Sequence, residues 1–153
     1  MTEANPVVDS GTPIRRIVVG VDGSDPSIRA LRWAARQAEW SGATLEVVTA
    51  WSFPEHPAPL GIVIDVPWPD ELIAKARLKL DEVIRDSLPA LDPHRVRAQV
   101  IRGNAVPVLL EAAGDADLLV VGSHGGGVMA ELLLGSVSDR CVRRASCSVV
   151  VVR

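Results

Sequence analysis

Hydrophobic positions in this chain gather into short runs that alternate with longer stretches of helical spacing, from residue 15 to the end. Residues 15–22 (RRIVVGVD) read as a buried strand followed by the turn GSD. Asp25 is expected to cap a helix with Pro26 at its first position, running to about Ser41, where Gly42 ends it. Residues 44–51 (TLEVVTAW) form a second strand. Asp70 is expected to cap a helix to about Leu88, with Leu72, Ile73, Ala76, Leu80, Val83 and Ile84 on one face and Pro89 and Pro93 beyond it. Residues 95–101 alternate like a strand, with Val96, Ala98 and Val100 on one side. Asn104 precedes a helix to about Ala113 that Gly114 closes, and residues 117–121 (DLLVV) are a buried strand. After a glycine-rich loop, a short helical stretch leads to the last strand, 148–152.

Strands alternating with helices predict an α/β fold: one doubly wound domain with five mostly parallel strands and helices on both faces. Residues 1–13 read as a polar, flexible tail before a domain of residues 14–153. Between the second strand and the second helix, residues 53–69 carry five prolines (54, 57, 59, 67 and 69), which exclude a regular helix across most of the segment. A loop of that length is either a lid over a binding site or a solvated excursion.

Composition narrows the setting. Nearly half the residues are hydrophobic (48%), yet no apolar run approaches the roughly 20 residues of a membrane-spanning helix. The first residues lack the basic and apolar regions of a secretory signal, so a cytoplasmic location without membrane association is expected. A net charge of −3 with scattered basic residues gives no nucleic-acid surface. Cys141 and Cys147 have neither metal-ligand nor CxxC spacing and read as free thiols.

Ligands of open α/β sheets bind beyond the carboxyl ends of the strands, where strand order reverses. Two strand ends combine small residues with a polar group: Gly20-Val21-Asp22-Gly23-Ser24 and Gly122-Ser123-His124-Gly125-Gly126-Gly127. If their strands are neighbours at the reversal, both loops line one cleft. The second loop continues as Gly122-x2-Gly125-x9-Gly135-Ser136. Glycines there let the backbone approach a ligand and adopt positive φ. Gly135-Ser136 opens a helix whose free N–H groups and dipole suit an anion, and Ser136 and Ser138 add hydroxyl donors. A flexible linker followed by a cap is the plain alternative; the position between a buried strand and a helix favours phosphate. Asp22 is a ribose ligand, a magnesium ligand through water, or a turn former. Its place opposite the glycine loop favours ligand contact.

That spacing, with VGVDGS, VVGSHG, LLLGSVS and the closing SVVVV, resembles the nucleotide-binding branch of the universal stress protein family over residues 15–153. The resemblance implies sheet order 3-2-1-4-5, which makes strands one and four neighbours, and ATP bound across their cleft. It sets Asp22 toward the ribose or phosphates, with Gly20 and Val21 before it, and Ala50 toward the adenine. Val121 and Gly122 then lie near ribose and phosphates, and Gly125, Gly135, Ser136 and Val137 hold the phosphates, with Ser138 beside them. It also implies a homodimer paired through strand 148–152.

Other residues have plainer readings. Arg29, Trp33, Arg36 and Trp40 follow helical spacing and describe an amphipathic helix with Trp33 half-buried and the arginines solvated. Arg140, Arg143 and Arg144 complement the negative end of the last helix. His124 has no carboxylate beside it in sequence, so no catalytic residue is assigned. The only lysines are Lys75 and Lys79, neither near the glycine loop in sequence, and no GxxxxGK[ST] is present. Mg2+ or Mn2+ is therefore expected with the triphosphate. The chain reads as a nucleotide-holding regulatory switch with at most slow hydrolysis. The alternative is an ATP-hydrolysing or nucleotidyl-transferring enzyme on a related fold. A phosphoacceptor domain wants clustered acids and a lysine that this chain lacks, and the complete glycine pattern argues against a dimerisation module that has lost its nucleotide.

Overall fold

The computed structural model describes residues 11, 13–52, 69–88, 92–124 and 134–153. The five strands are β1 (Arg16–Gly20), β2 (Thr44–Trp51), β3 (Val96–Arg102), β4 (Leu118–Gly122) and β5 (Ser148–Val152). The helices among the described residues are α1 (Asp25–Ser41), α2 (Pro69–Ser87), α3 (Ala105–Ala112) and α4 (Ser136–Arg144). The strands make one sheet, parallel throughout, in the order β3-β2-β1-β4-β5. This is the strand order the sequence resemblance implied.

The central strands are continuous apolar runs because both of their faces are covered. Side chains alternate across them. Ile17, Val19, Leu45, Val47, Leu118 and Val120 point to the side packed by α1 and by Leu80, Val83 and Ile84 of α2. Val18, Val48, Leu119 and Val121 point to the side packed by α3 and α4, with Leu109 and Cys141 at its centre. Fully burying a side chain such as Leu31 or Leu119 stabilises the fold by about 1.5–3 kcal/mol. The stripe Ala30, Ala34, Ala35 and Ala38 lets α1 lie close on the sheet. Trp33 packs partly against that core, while Trp40, at the end of α1, is 77% exposed.

Several boundaries differ from the sequence expectation, each for a local reason. Ser24 rather than Asp25 caps α1: its backbone is extended and its Oγ accepts from Ser27 N, which puts Asp25 and Pro26 inside the first turn. Gly42 ends α1 as expected, in the left-handed conformation (φ 76°). Helix α2 starts at Pro69, so Asp70 and Glu71 sit in its first turn, where negative charge suits the dipole, rather than before it. Strand β3 begins at Val96 because Pro93–Arg95 wind into a 3-10 turn capped by Asp92, whose Oδ1 accepts from His94 N at 2.9 Å. Helix α3 stops at Ala112, and Gly114 follows it without left-handed geometry.

The amino end of the sheet is pinned by charge. Asp117 Oδ2 accepts from the backbone N–H groups of Arg15 and Arg16 at 2.8 and 2.9 Å, joining the start of β4 to the start of β1. Buried Glu46 accepts from Arg16 at 2.6 Å and from Gln99 at 2.8 Å, so its charge has partners. Arg16 also pairs with Asp115. No helix among the described residues is long and apolar enough to cross a membrane.

Candidate functional site

Strand order reverses between β1 and β4: the chain proceeds from β1 outward through β2, and from β4 outward through β5. Their carboxyl ends leave a cavity of about 310 Å3 between them, at the small end of the ~300–1,000 Å3 range of ligand pockets. Gly20, Val21, Asp22, Ala50, Val121, Gly122, Gly135, Ser136, Val137 and Ser138 all line it. Gly125, the remaining expected site residue, lies outside the described residues, as do Gly126, Gly127 and residues 53–68 of the expected lid.

The cavity has two chemically different ends. Val48 and Ala50 of β2 with Ala105 and Leu109 of α3 make an apolar slot. Gly122, His124, Gly135, Ser136 and Ser138 make a polar end. Gly20 lies directly against Leu109: a Cβ there would stand 2.9 Å from Leu109 Cδ1.

Helix α4 begins at the polar end with Gly135 as its N-cap, which has no side chain to cap it. Its first-turn N–H groups have no acceptor within the helix, and they carry the positive end of the helix dipole. The Ser136 side chain is exposed and makes no hydrogen bond among the described residues. Ser138 differs from its expected role. Its hydroxyl is buried and directed to the carbonyls of Ser123 and Gly135, 2.9 Å from each. One proton shared between two carbonyls is not available to a phosphate, so Ser138 holds the loop base instead.

The glycines also act otherwise than expected. Neither Gly122 nor Gly135 has positive φ. A Cβ on Gly122 would lie 2.8 Å from the backbone carbon of Pro26 and 2.9 Å from Ser27 N. One on Gly135 would lie 2.9 Å from His124 Cα. What both positions require is the close approach of two backbones. The Gly135 N–H donates to Ser123 O at 2.6 Å, and the Ser123 N–H donates to the Val152 carbonyl of β5 at 2.8 Å. The two ends of the glycine loop are therefore closed on each other and on the sheet.

Asp22 is a turn former that also faces the cavity. Its Oδ1 accepts from Ser24 Oγ at 2.5 Å and Ser24 N at 2.9 Å, and the turn behind it contains Gly23 at φ 85°. Partial burial works to raise the Asp22 pKa, but the hydrogen bonds from Ser24 outweigh it and hold the carboxyl below its ordinary value. The cavity wall thus carries a negative charge at neutral pH.

Sequence reading missed Ser27, Val48, Ala105 and Leu109 among the lining residues, whereas His124, part of the loop expected to line the cleft, does line it. Val48 was within reach, two residues before Ala50 and on the same strand face. Ala105 and Leu109 share a helix face four residues apart, but nothing in the sequence says which face meets the cleft. Also hidden was Lys79. Helix α2 brings its Nζ to 3.5 Å from where a Cβ on Gly23 would be, at the turn after β1.

Comparison with known proteins agrees with this architecture. A profile of the Universal stress protein family matches residues 13–153. Universal stress protein Rv2623 of Mycobacterium tuberculosis is 34% identical over 152 residues, covering 95% of this chain and 50% of its own length. The chain spans about half the length of the curated relatives it matches. A universal stress protein crystallised in complex with cAMP is 31% identical, with a TM-score of 0.69 over 93% of this chain and 98% of its own. Universal stress protein UspA from Lactobacillus plantarum, 22% identical, shares the fold with a TM-score of 0.76 over 94% of this chain and all of its own. The parallel sheet, the cleft where its order reverses and the match along nearly the whole chain lead to one assignment: this chain belongs to the universal stress protein family.

Proposed function

We propose that the chain binds an adenine nucleotide, with ATP and Mg2+ or Mn2+ as its ligand, and serves as a cytoplasmic, nucleotide-dependent stress-response switch with at most slow hydrolysis. The observation that carries this reading is the two-ended cavity at the sheet reversal. Its apolar slot suits a flat base, and its polar end presents the uncapped N-terminus of α4 to an anion. Asp22, which lines the same cavity, suits a ribose hydroxyl because an ionised carboxylate accepts hydrogen bonds. The cAMP complex of a protein 31% identical to this one supports the class of ligand.

A divalent ion here is carried by the phosphate oxygens, with Asp22 the carboxylate that lines the cavity. Among the described residues no group of three or more His, Cys, Asp or Glu is arranged to hold a metal alone. Strand β5 is an edge of the sheet with partly exposed valines, which supports pairing with a second copy.

The test is to purify the protein, denature it and identify any released nucleotide by chromatography, then titrate ATP into emptied protein. Gly135→Asp, which sets a side chain against His124 and an anion at the α4 N-terminus, is expected to abolish binding. Wild-type protein that releases no nucleotide and binds no added ATP sinks the reading. The cAMP complex of the similar protein favours a second one, in which the cyclic nucleotide is preferred, and competition between ATP and cAMP on one sample decides between them. Turnover well above background, lost on Asp22→Ala or His124→Ala, would instead establish an enzyme.

A further inference from the structure

The main cavity is lined by one ionised carboxylate, Asp22, and by no lysine or arginine among the described residues. A polyphosphate entering it meets a like charge. A countercharge stands on the other side of the sheet. A second, smaller cavity of about 80 Å3 opens against the turn after β1, and Val21 and Asp22 line both spaces. Lys79 of α2 lines the smaller one, with its Cε and Nζ both 3.5 Å from the Cβ position of Gly23. Its ammonium makes no ion pair with any described residue.

We propose that Lys79 is a specificity-determining residue for the charge of the bound nucleotide, offsetting Asp22 across the β1–α1 turn so that ligands with more phosphates are favoured. This rests on the nucleotide reading of the main cavity. Lys79 lies behind Asp22 and acts through space, so its effect scales with ligand charge and is weakened by salt. Lys79 is exposed, and an exposed charge contributes a few-fold in affinity rather than orders of magnitude. Adenosine, which carries no phosphate, is indifferent to it.

Isothermal titration of adenosine, AMP, ADP and ATP against wild type, Lys79→Gln and Lys79→Arg tests the idea. In Lys79→Gln the adenosine affinity is expected to stay unchanged. The ATP affinity is expected to fall roughly 2–5-fold at low salt, AMP less, and the ATP loss to shrink at high salt. Lys79→Arg restores the order because it keeps the charge. Equal losses for all four ligands, or none, overturn the proposal while leaving the site intact. Wild-type protein that binds none of the four overturns the site and the proposal together.

Discussion

Gly122 has no room for a side chain, and the reason lies in another part of the chain. The end of β4 abuts the backbone of Pro26 and Ser27 at the start of α1, and backbone cannot swing away as a side chain tip can. Gly122→Ala is therefore expected to cost about 1–3 kcal/mol by overpacking and to deform the cavity wall. Gly20→Ala makes a useful comparison, since its obstacle is the movable end of Leu109. Denaturant unfolding of the two variants checks this; a Gly122→Ala no less stable than Gly20→Ala contradicts it. The sequence pointed to Gly122 through its spacing, and it does line the cavity, but the positive φ expected there is absent. Spacing in one segment cannot report a contact with a residue almost a hundred positions earlier. Lys79 stayed hidden for the same reason.

At the scale of elements, the turn between β1 and α1 carries two duties through Ser24. Its Oγ accepts from Ser27 N as the cap of α1 and donates to Asp22 Oδ1. Ser24→Ala is expected to lower stability by about 1 kcal/mol through loss of the cap. It also removes a hydrogen bond that holds the Asp22 carboxyl below its ordinary range, so Asp22 is expected to titrate at higher pH. Chemical denaturation measures the first effect and an NMR titration of the Asp22 carboxyl the second; an unchanged Asp22 titration contradicts the coupling. Element types and order were legible because the apolar periods are clean: continuous runs for β1, β4 and β5, and a wide stripe for α1 and α2. Element ends were less legible. Ser24 and Asp25 are both good caps, and only the backbone angles, set by where β1 must stop, choose between them.

For the molecule as a whole, the two ends of the sheet are held differently. The carboxyl end keeps an open cavity, whereas the amino end is closed by Asp117, Arg16 and Glu46. Two backbone N–H groups, from Arg15 and Arg16, hold the Asp117 pKa below its ordinary value. A carboxyl lowered on folding stabilises the protein fully above its unfolded pKa of about 3.9 and loses that contribution as pH falls through the folded value. Asp22 has the same sign. Stability is therefore expected to decline as pH drops below about 4, and more gently in Asp117→Asn than in wild type. Thermal melts across pH 2.5–7 read the slope directly, and parallel curves for the two proteins count against Asp117 as an acid-sensitive pin.

The hydrogen bond between Gly135 N and Ser123 O has a consequence for how tightly anything can be held. Closing a loop costs chain entropy that grows as the logarithm of its length, about 0.6 kcal/mol for each doubling. Here the two ends are already joined by the protein's own bonds, so that cost falls on folding and not on the arrival of a ligand. Longer or shorter connections between Ser123 and Gly135 then shift the stability of the fold slightly. The closure cost on binding stays the same.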